Sequence, residues 1–164
     1  MENMWAPWRM EYVSTTTKTK GCVFCNVVKD DDKTNHIVYR GKYCYVILNK
    51  FPYNNGHIMI VPFRHTNDLL ELTDKEQAEC NLLINKSILV LRKIFNPQAI
   101  NMGMNMGKAA GAGIEEHIHY HLLPRWDGDT NFMPVIAGVK VISESLDATH
   151  EKMSKAFMDL MAGE

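Results

Sequence analysis

Residues 117 to 123, HIHYHLL, alternate histidine with apolar side chains, and a period of two leaves little choice of backbone. On a helix, His119 would point away from His117 and His121; on a strand, alternate side chains share one face. An extended backbone sets the three imidazoles in a row about 6.7 Å apart and turns Ile118, Tyr120 and Leu122 towards a core. Three uses of such a row stay open on these residues alone. It can be a solvated polar face, a metal site built on H-x-H, or a set of nucleophiles and donors, because unperturbed histidine titrates near 6.5.

The rest of the chain limits the setting of that strand. Its 164 residues suit one domain spanning 1–164, with an irregular arm over about residues 1–20 that carries Trp5 and Trp8. A hydrophobic content of 46% with 23% charged residues is that of a globular protein, and no apolar run approaches the roughly 18 residues of a membrane span. The opening MENMWAPWRMEYV lacks the apolar core of a signal peptide, so a cytoplasmic location is expected. A formal charge of -1 provides no basic field for nucleic acid. Neither nucleic acid nor membrane is expected as a partner, and any phosphate must be handled locally.

The elements follow from pattern. KDDDKTN (29–35) reads as a polar turn, HIVYR and KYCYVILN as a hairpin, NKFPYNNG as a loop, and HIMIVP as a strand stopped by Pro62. Residues 73–95 predict the longest helix. Thr73 and Glu76 form a T-x-x-E capping box, Leu83, Ile84, Ile88, Leu91 and Phe95 recur at helical spacing, and Pro97 ends the run. AINMGMNMG reads as a strand, GKAAGAG (107–113) as a glycine loop, GVKVIS (138–143) as a short strand and LDATHEKMSKAFMDLM as a C-terminal helix. Clustered rather than alternating elements give an α+β fold, with a mostly antiparallel five-stranded sheet, a long central helix and a C-terminal helix.

Two further features carry chemistry. Gly107, Gly111 and Gly113 directly precede the histidine row, and unpaired amides in such a loop can cradle phosphate oxygens beside an imidazole. Imidazole attack on phosphorus would split one displacement into two easier ones. The four cysteines divide into pairs. Cys44 and Cys80 sit in apolar patterns and read as core residues, whereas GCVFC places Cys22 and Cys25 in a C-x-x-C that is open to metal, redox or purely structural use.

Taken together, HIHYHLL, NKFPYNNGHIMIVPFRH, NMGMNMGKAAGAG and PRWDGDTNFMP resemble the histidine triad (HIT) family over about two thirds of the chain. WAPWRMEYV, the C-x-x-C and the PRWxGDxNF pattern are most similar to its bacterial branch of diadenosine tetraphosphate phosphorylases and hydrolases. The resemblance implies a HIT-like fold, a homodimer, an adenine nucleotide or dinucleoside polyphosphate as ligand, and no organic cofactor. It implies that His119 takes the nucleotidyl group and that His121 orients or neutralises the phosphate. Asn49, His57, Asn105, Gly111 and Gly113 become nucleotide-binding positions, with His57 alternatively only a brace; Ile37, Tyr43 and Tyr45 are candidate walls for the base, although aromatic residues in strands are more often core. It also implies a structural Zn2+ on Cys22, Cys25, His65 and His117. The loop departs from the branch in having no serine near Gly113, which leaves open the group that protonates the leaving oxygen and the choice between phosphate and water as acceptor. Competing readings are a nucleotide-binding regulatory protein, a nucleoside phosphoramidase, and a metal-dependent hydrolase.

Overall fold

The computed structural model describes residues 21–129 and 142–163. The N-terminal arm and most of the expected strand at 138–143 lie outside them. Five strands form one antiparallel sheet: β1 (Ile37–Arg40), β2 (Cys44–Leu48), β3 (Ile58–Pro62), β4 (Ala99–Met104) and β5 (Tyr120–Arg125), in the order β1-β2-β3-β5-β4. The helices are α1 (Val23–Val27), α2 (Asp32–Asn35), α3 (Asp74–Phe95) and α4 (Leu146–Ala162). No helix among the described residues is long and apolar enough to cross a membrane.

The sheet separates two cores by residue parity, as the strand period requires. Val46, Leu48, Ile58, Ile60 and Leu122 turn to one side and pack with Leu83, Ile84 and Leu91 of α3 and with Met153 and Phe157 of α4. Tyr45, Ile47, Met59 and Val61 turn to the other and pack with Cys22 and Phe24 around α1. Both faces of β2 and β3 are therefore buried throughout. His121 pairs with Met59, and Met59 with Ile47. The histidine row thus belongs to the smaller core, beside α1.

Helix α3 forms where the pattern places it. The Thr73 hydroxyl accepts from the Glu76 amide, and the Glu76 carboxylate accepts from the Thr73 amide at 2.7 Å. Asn96 closes the helix in a left-handed conformation, just ahead of Pro97. Cys44 and Cys80 are buried core residues with sulfurs 3.1 Å apart. Three local expectations change. Asp32–Asn35 is one helical turn rather than a plain charged turn, because the Asp31 carboxylate accepts from the Thr34 amide and caps it. The short α1 was not visible as periodicity, since five residues are too few to show one. The ladder of β5 starts only at Tyr120, so His117 and His119 precede it. Ile118 is held there instead by donating its amide to the Thr66 carbonyl at 2.8 Å.

Candidate active site and metal cluster

A cavity of about 350 Å3 opens on the α1 side of the sheet. It is lined by the polar groups of His119, His121, Asn49 and Asn105, by Gly111 and Gly113, and by the apolar Val23, Phe24, Val27, Ile47 and Met59. The structure brings together all but one of the proposed catalytic and nucleotide-binding positions. The exception is His57, 1% exposed, which stands behind His121 and does not line the cavity. Ile37, Tyr43 and Tyr45 do not line it either. Tyr45 is fully buried and donates its hydroxyl to the Phe24 carbonyl at 2.9 Å, so it anchors the apolar wall from behind. Burial, with the Cys22 and Cys25 thiols next, pushes that hydroxyl well above a tyrosine's ordinary pKa, in keeping with its role as donor. The wall itself comes from α1, whose Val23 and Phe24 are the two spacer residues of the C-x-x-C.

Hydrogen bonds assign the protons on the imidazoles, because a carbonyl can only accept. His119 Nδ1 lies 2.9 Å from the His117 carbonyl and must carry hydrogen, leaving Nε2 with its lone pair. His57 Nδ1 accepts from the Tyr53 amide at 3.1 Å, so its Nε2–H donates to His121 Nδ1 at 3.0 Å. His121 then carries its hydrogen on Nε2. One cavity-lining histidine offers a lone pair and the other a donor, with ring centroids 4.7 Å apart. Burial lowers the pKa of His119, opposed by its bond to the His117 carbonyl, and so favours the neutral nucleophilic form.

The glycine loop folds differently from the expected open cradle. Lys108–Ala110 form a 3-10 turn, Gly107 and Gly111 adopt positive φ, and the amides of Ala110, Gly111 and Ala112 donate within the loop. The Gly113 amide has no partner among the described residues. Asn105 is tied to the loop through its Nδ2, which donates to the Gly111 carbonyl at 3.4 Å. Asn49 Oδ1 accepts from the Phe51 amide at 2.9 Å, which fixes the turn leaving β2. A brace for that loop escaped the sequence reading. Asp129 accepts from both Arg125 Nε and Nη2, from the Trp126 amide and from Asn54 Nδ2 at 2.6 to 3.1 Å. The PRWxGD pattern thus clamps the end of β5 to the loop that delivers Tyr53 and His57.

On the other flank of His119, Cys22, Cys25, His65 and His117 bring one ligand atom each to within 4.8 Å of the others. His117 Nε2–H donates to the Pro62 carbonyl at 2.9 Å, which turns its Nδ1 lone pair to Cys22 and Cys25 at 3.3 and 3.6 Å. His65 Nδ1 lies 3.4 Å from Cys25. Tetrahedral zinc, with Zn–S near 2.3 Å and Zn–N near 2.05 Å, sets neighbouring sulfur and nitrogen ligands about 3.5 Å apart. The cluster fits such an ion in donor type, number and spacing. Burial raises the Cys22 thiol to about 11 when no cation is present, as expected for a group that needs a metal to ionise.

The HIT domain family model matches residues 30–128. The chain belongs to the HIT family. This HIT protein is 36% identical over 162 residues to the AP-4-A phosphorylase of Mycobacterium tuberculosis, covering 94% of this chain and 83% of that one. It is 30% identical over 95 residues to the asymmetrical bis(5'-nucleosyl)-tetraphosphatase of Schizosaccharomyces pombe, covering 58% and 52% of the two chains. Among solved structures, a Zn-bound histidine triad family protein from Mycobacterium smegmatis superposes with a TM-score of 0.69 at 24% identity, covering 88% of this chain and 98% of that one. That structure shares the HIT fold described above.

Proposed function

We propose that this HIT protein is a nucleotidyl-transferring enzyme that cleaves dinucleoside polyphosphates, diadenosine tetraphosphate first among them, through a covalent intermediate on His119. The proton assignment at the histidine pair carries the reading: a buried, neutral His119 presents Nε2 as nucleophile beside the His121 Nε2–H donor. The likeness to an AP-4-A phosphorylase over most of the chain supports the substrate class. The apolar lining of the cavity suits a nucleobase, and Asn49, Asn105 and the Gly111–Gly113 loop suit ribose and phosphate.

In the first step His119 Nε2 attacks phosphorus, and a P–N bond forms as the P–O bond to the departing nucleotide breaks. His121 Nε2–H faces the charge that builds on the phosphoryl oxygens. In the second step an acceptor oxygen attacks the same phosphorus and the P–N bond breaks, freeing His119. Inorganic phosphate as acceptor yields ADP, and water yields AMP. Phosphate is the preferred acceptor in our reading, with slower hydrolysis in its absence. Cys22, Cys25, His65 and His117 would hold Zn2+ as a structural ion, which would supply stability to the fold. A second copy docks along β4, an edge strand among the described residues, where Met102 and the nearby Met106 are exposed, to make the homodimer.

Product chromatography with and without millimolar phosphate tests the reading. ATP plus ADP is expected with phosphate, and ATP plus AMP, more slowly, without it. His119→Ala is expected to lose on the order of 10^4-fold in rate while keeping the fold. AMP and ATP at equal rates under both conditions would make the protein a hydrolase, and a His119→Ala variant with a tenth of the parent rate would remove the covalent mechanism.

A further inference from the structure

Helix α1 serves two sites at once. Cys22 caps it and Cys25 lies within it, so both sulfurs of the metal cluster belong to this one short element. Val23 and Phe24, between them, line the cavity, and Val27 one turn on extends the same wall. The Phe24 ring centroid sits 4.7 Å from that of His119 and 5.5 Å from that of His117, touching the nucleophile on one side and a cluster ligand on the other. Two residues are too few to flex independently of sulfurs fixed on either side of them.

What else holds α1 shows which half depends on the cluster. Its C-terminal end is tied by Asn35 Nδ2, which donates to the Val27 carbonyl at 2.9 Å, and by Arg40 Nη2, which donates to the Val28 carbonyl at 3.0 Å. Midway, the Tyr45 hydroxyl holds the Phe24 carbonyl. At the N-terminal end, the Cys22 and Cys25 sulfurs make their side-chain contacts with the rings of His117 and His65. Sulfur is a weak hydrogen-bond partner for an imidazole, whereas a metal would lock the four groups into one geometry. A metal would therefore add to what holds Val23 and Phe24, two of the apolar side chains that line the cavity.

We infer that metal occupancy of the cluster and nucleotide affinity of the cavity are thermodynamically linked through α1, with Phe24 as the positioning residue. This rests on the zinc and nucleotide reading proposed above. The linkage is reciprocal: whatever factor zinc adds to nucleotide affinity, bound nucleotide adds to zinc affinity. Since Tyr45, Asn35 and Arg40 retain part of the helix without metal, a factor of about 10 is expected, within the usual range of coupling between sites.

The test uses AMP as probe and the full chain. Calorimetric titration of the zinc-loaded and chelator-equilibrated protein should show AMP binding about 10-fold weaker without zinc. Competition with a chromophoric chelator should show saturating AMP tightening zinc by the same factor. Phe24→Leu should bind zinc as the parent does in the absence of AMP, and should shrink the factor towards one. If the stripped protein loses its fold, Co2+-loaded protein replaces the first arm, and its visible absorption should shift when AMP is added. A protein that takes zinc and binds AMP, yet shows the same zinc affinity with and without AMP and an unmoved Co2+ spectrum, overturns the linkage alone. A protein that takes no metal overturns the zinc reading and the linkage with it; one that takes metal but never binds AMP overturns the nucleotide reading and the linkage.

Discussion

The three histidines of HIHYHLL do not share one proton pattern, and each is set by the partner of the nitrogen that faces away from its task. His117 and His119 both spend their N–H on a backbone carbonyl, but through opposite nitrogens, so His117 presents Nδ1 to the cysteines and His119 keeps Nε2 bare. His121 receives its tautomer from His57, which receives its own from the Tyr53 amide. Nitrogen-15 NMR of the protein should therefore find the hydrogen of His119 on Nδ1 and those of His57, His117 and His121 on Nε2. A His119 ring protonated at Nε2 in the resting protein would leave no nucleophile facing phosphorus. His57 stands behind the cavity, where it contacts two lining residues, His121 through a hydrogen bond and Tyr53 through ring stacking.

At the level of elements, α3 does more than cover the sheet. The Glu79 carboxylate accepts from three successive amides, those of Lys42, Tyr43 and Cys44, at 2.5 to 2.9 Å, and so ties the β1–β2 connection to the helix. Gly41 permits the approach, because a Cβ there would come within 2.9 Å of the same carboxylate. Amides that bond to a charged acceptor lose much when it is removed. Glu79→Ala is expected to lower stability by about 2 kcal/mol, read as a drop in denaturant midpoint at unchanged m-value. Turnover per folded molecule should hold, since Glu79 does not line the cavity. A midpoint within error of the parent would show that water replaces the carboxylate at no cost.

For the molecule as a whole, net charge does not report the charge of the cavity. The formal charge is -1, yet a dinucleoside polyphosphate is a polyanion. Among the described residues the cavity lining contains no carboxylate and one permanently charged side chain, Lys50, next to Asn49. Lys50 has no ion-pair partner among the described residues, so its charge is available to a ligand. Lys50→Glu should raise KM for diadenosine tetraphosphate by about 10-fold, the energetic equivalent of about 1.4 kcal/mol, and should flatten the dependence of kcat/KM on salt. An AMP ester with a neutral leaving group should suffer less. Equal losses on both substrates would place the effect in folding of the loop rather than in recognition of charge.

Much of this protein was legible in its residues because the relevant rules are local. The period of two at 117–123 put three imidazoles on one face, the capping box and Pro97 bounded α3, and the four-ligand set could be assembled from a resemblance carried by short motifs. What the residues could not disclose were relations between segments distant in sequence. The proton assignments depend on carbonyls of Pro62 and His117 and on the Tyr53 amide, and α1 became a cavity wall only when the sheet placed Ile47 and Met59 opposite it. Tyr45 shares the face of Ile47 and Met59, but it is fully buried against α1 with its hydroxyl bonded to the Phe24 carbonyl, and so does not reach the cavity. Side-chain type and spacing are written in the chain, but which lone pair is free and which face is covered depends on contacts made only after distant segments pack.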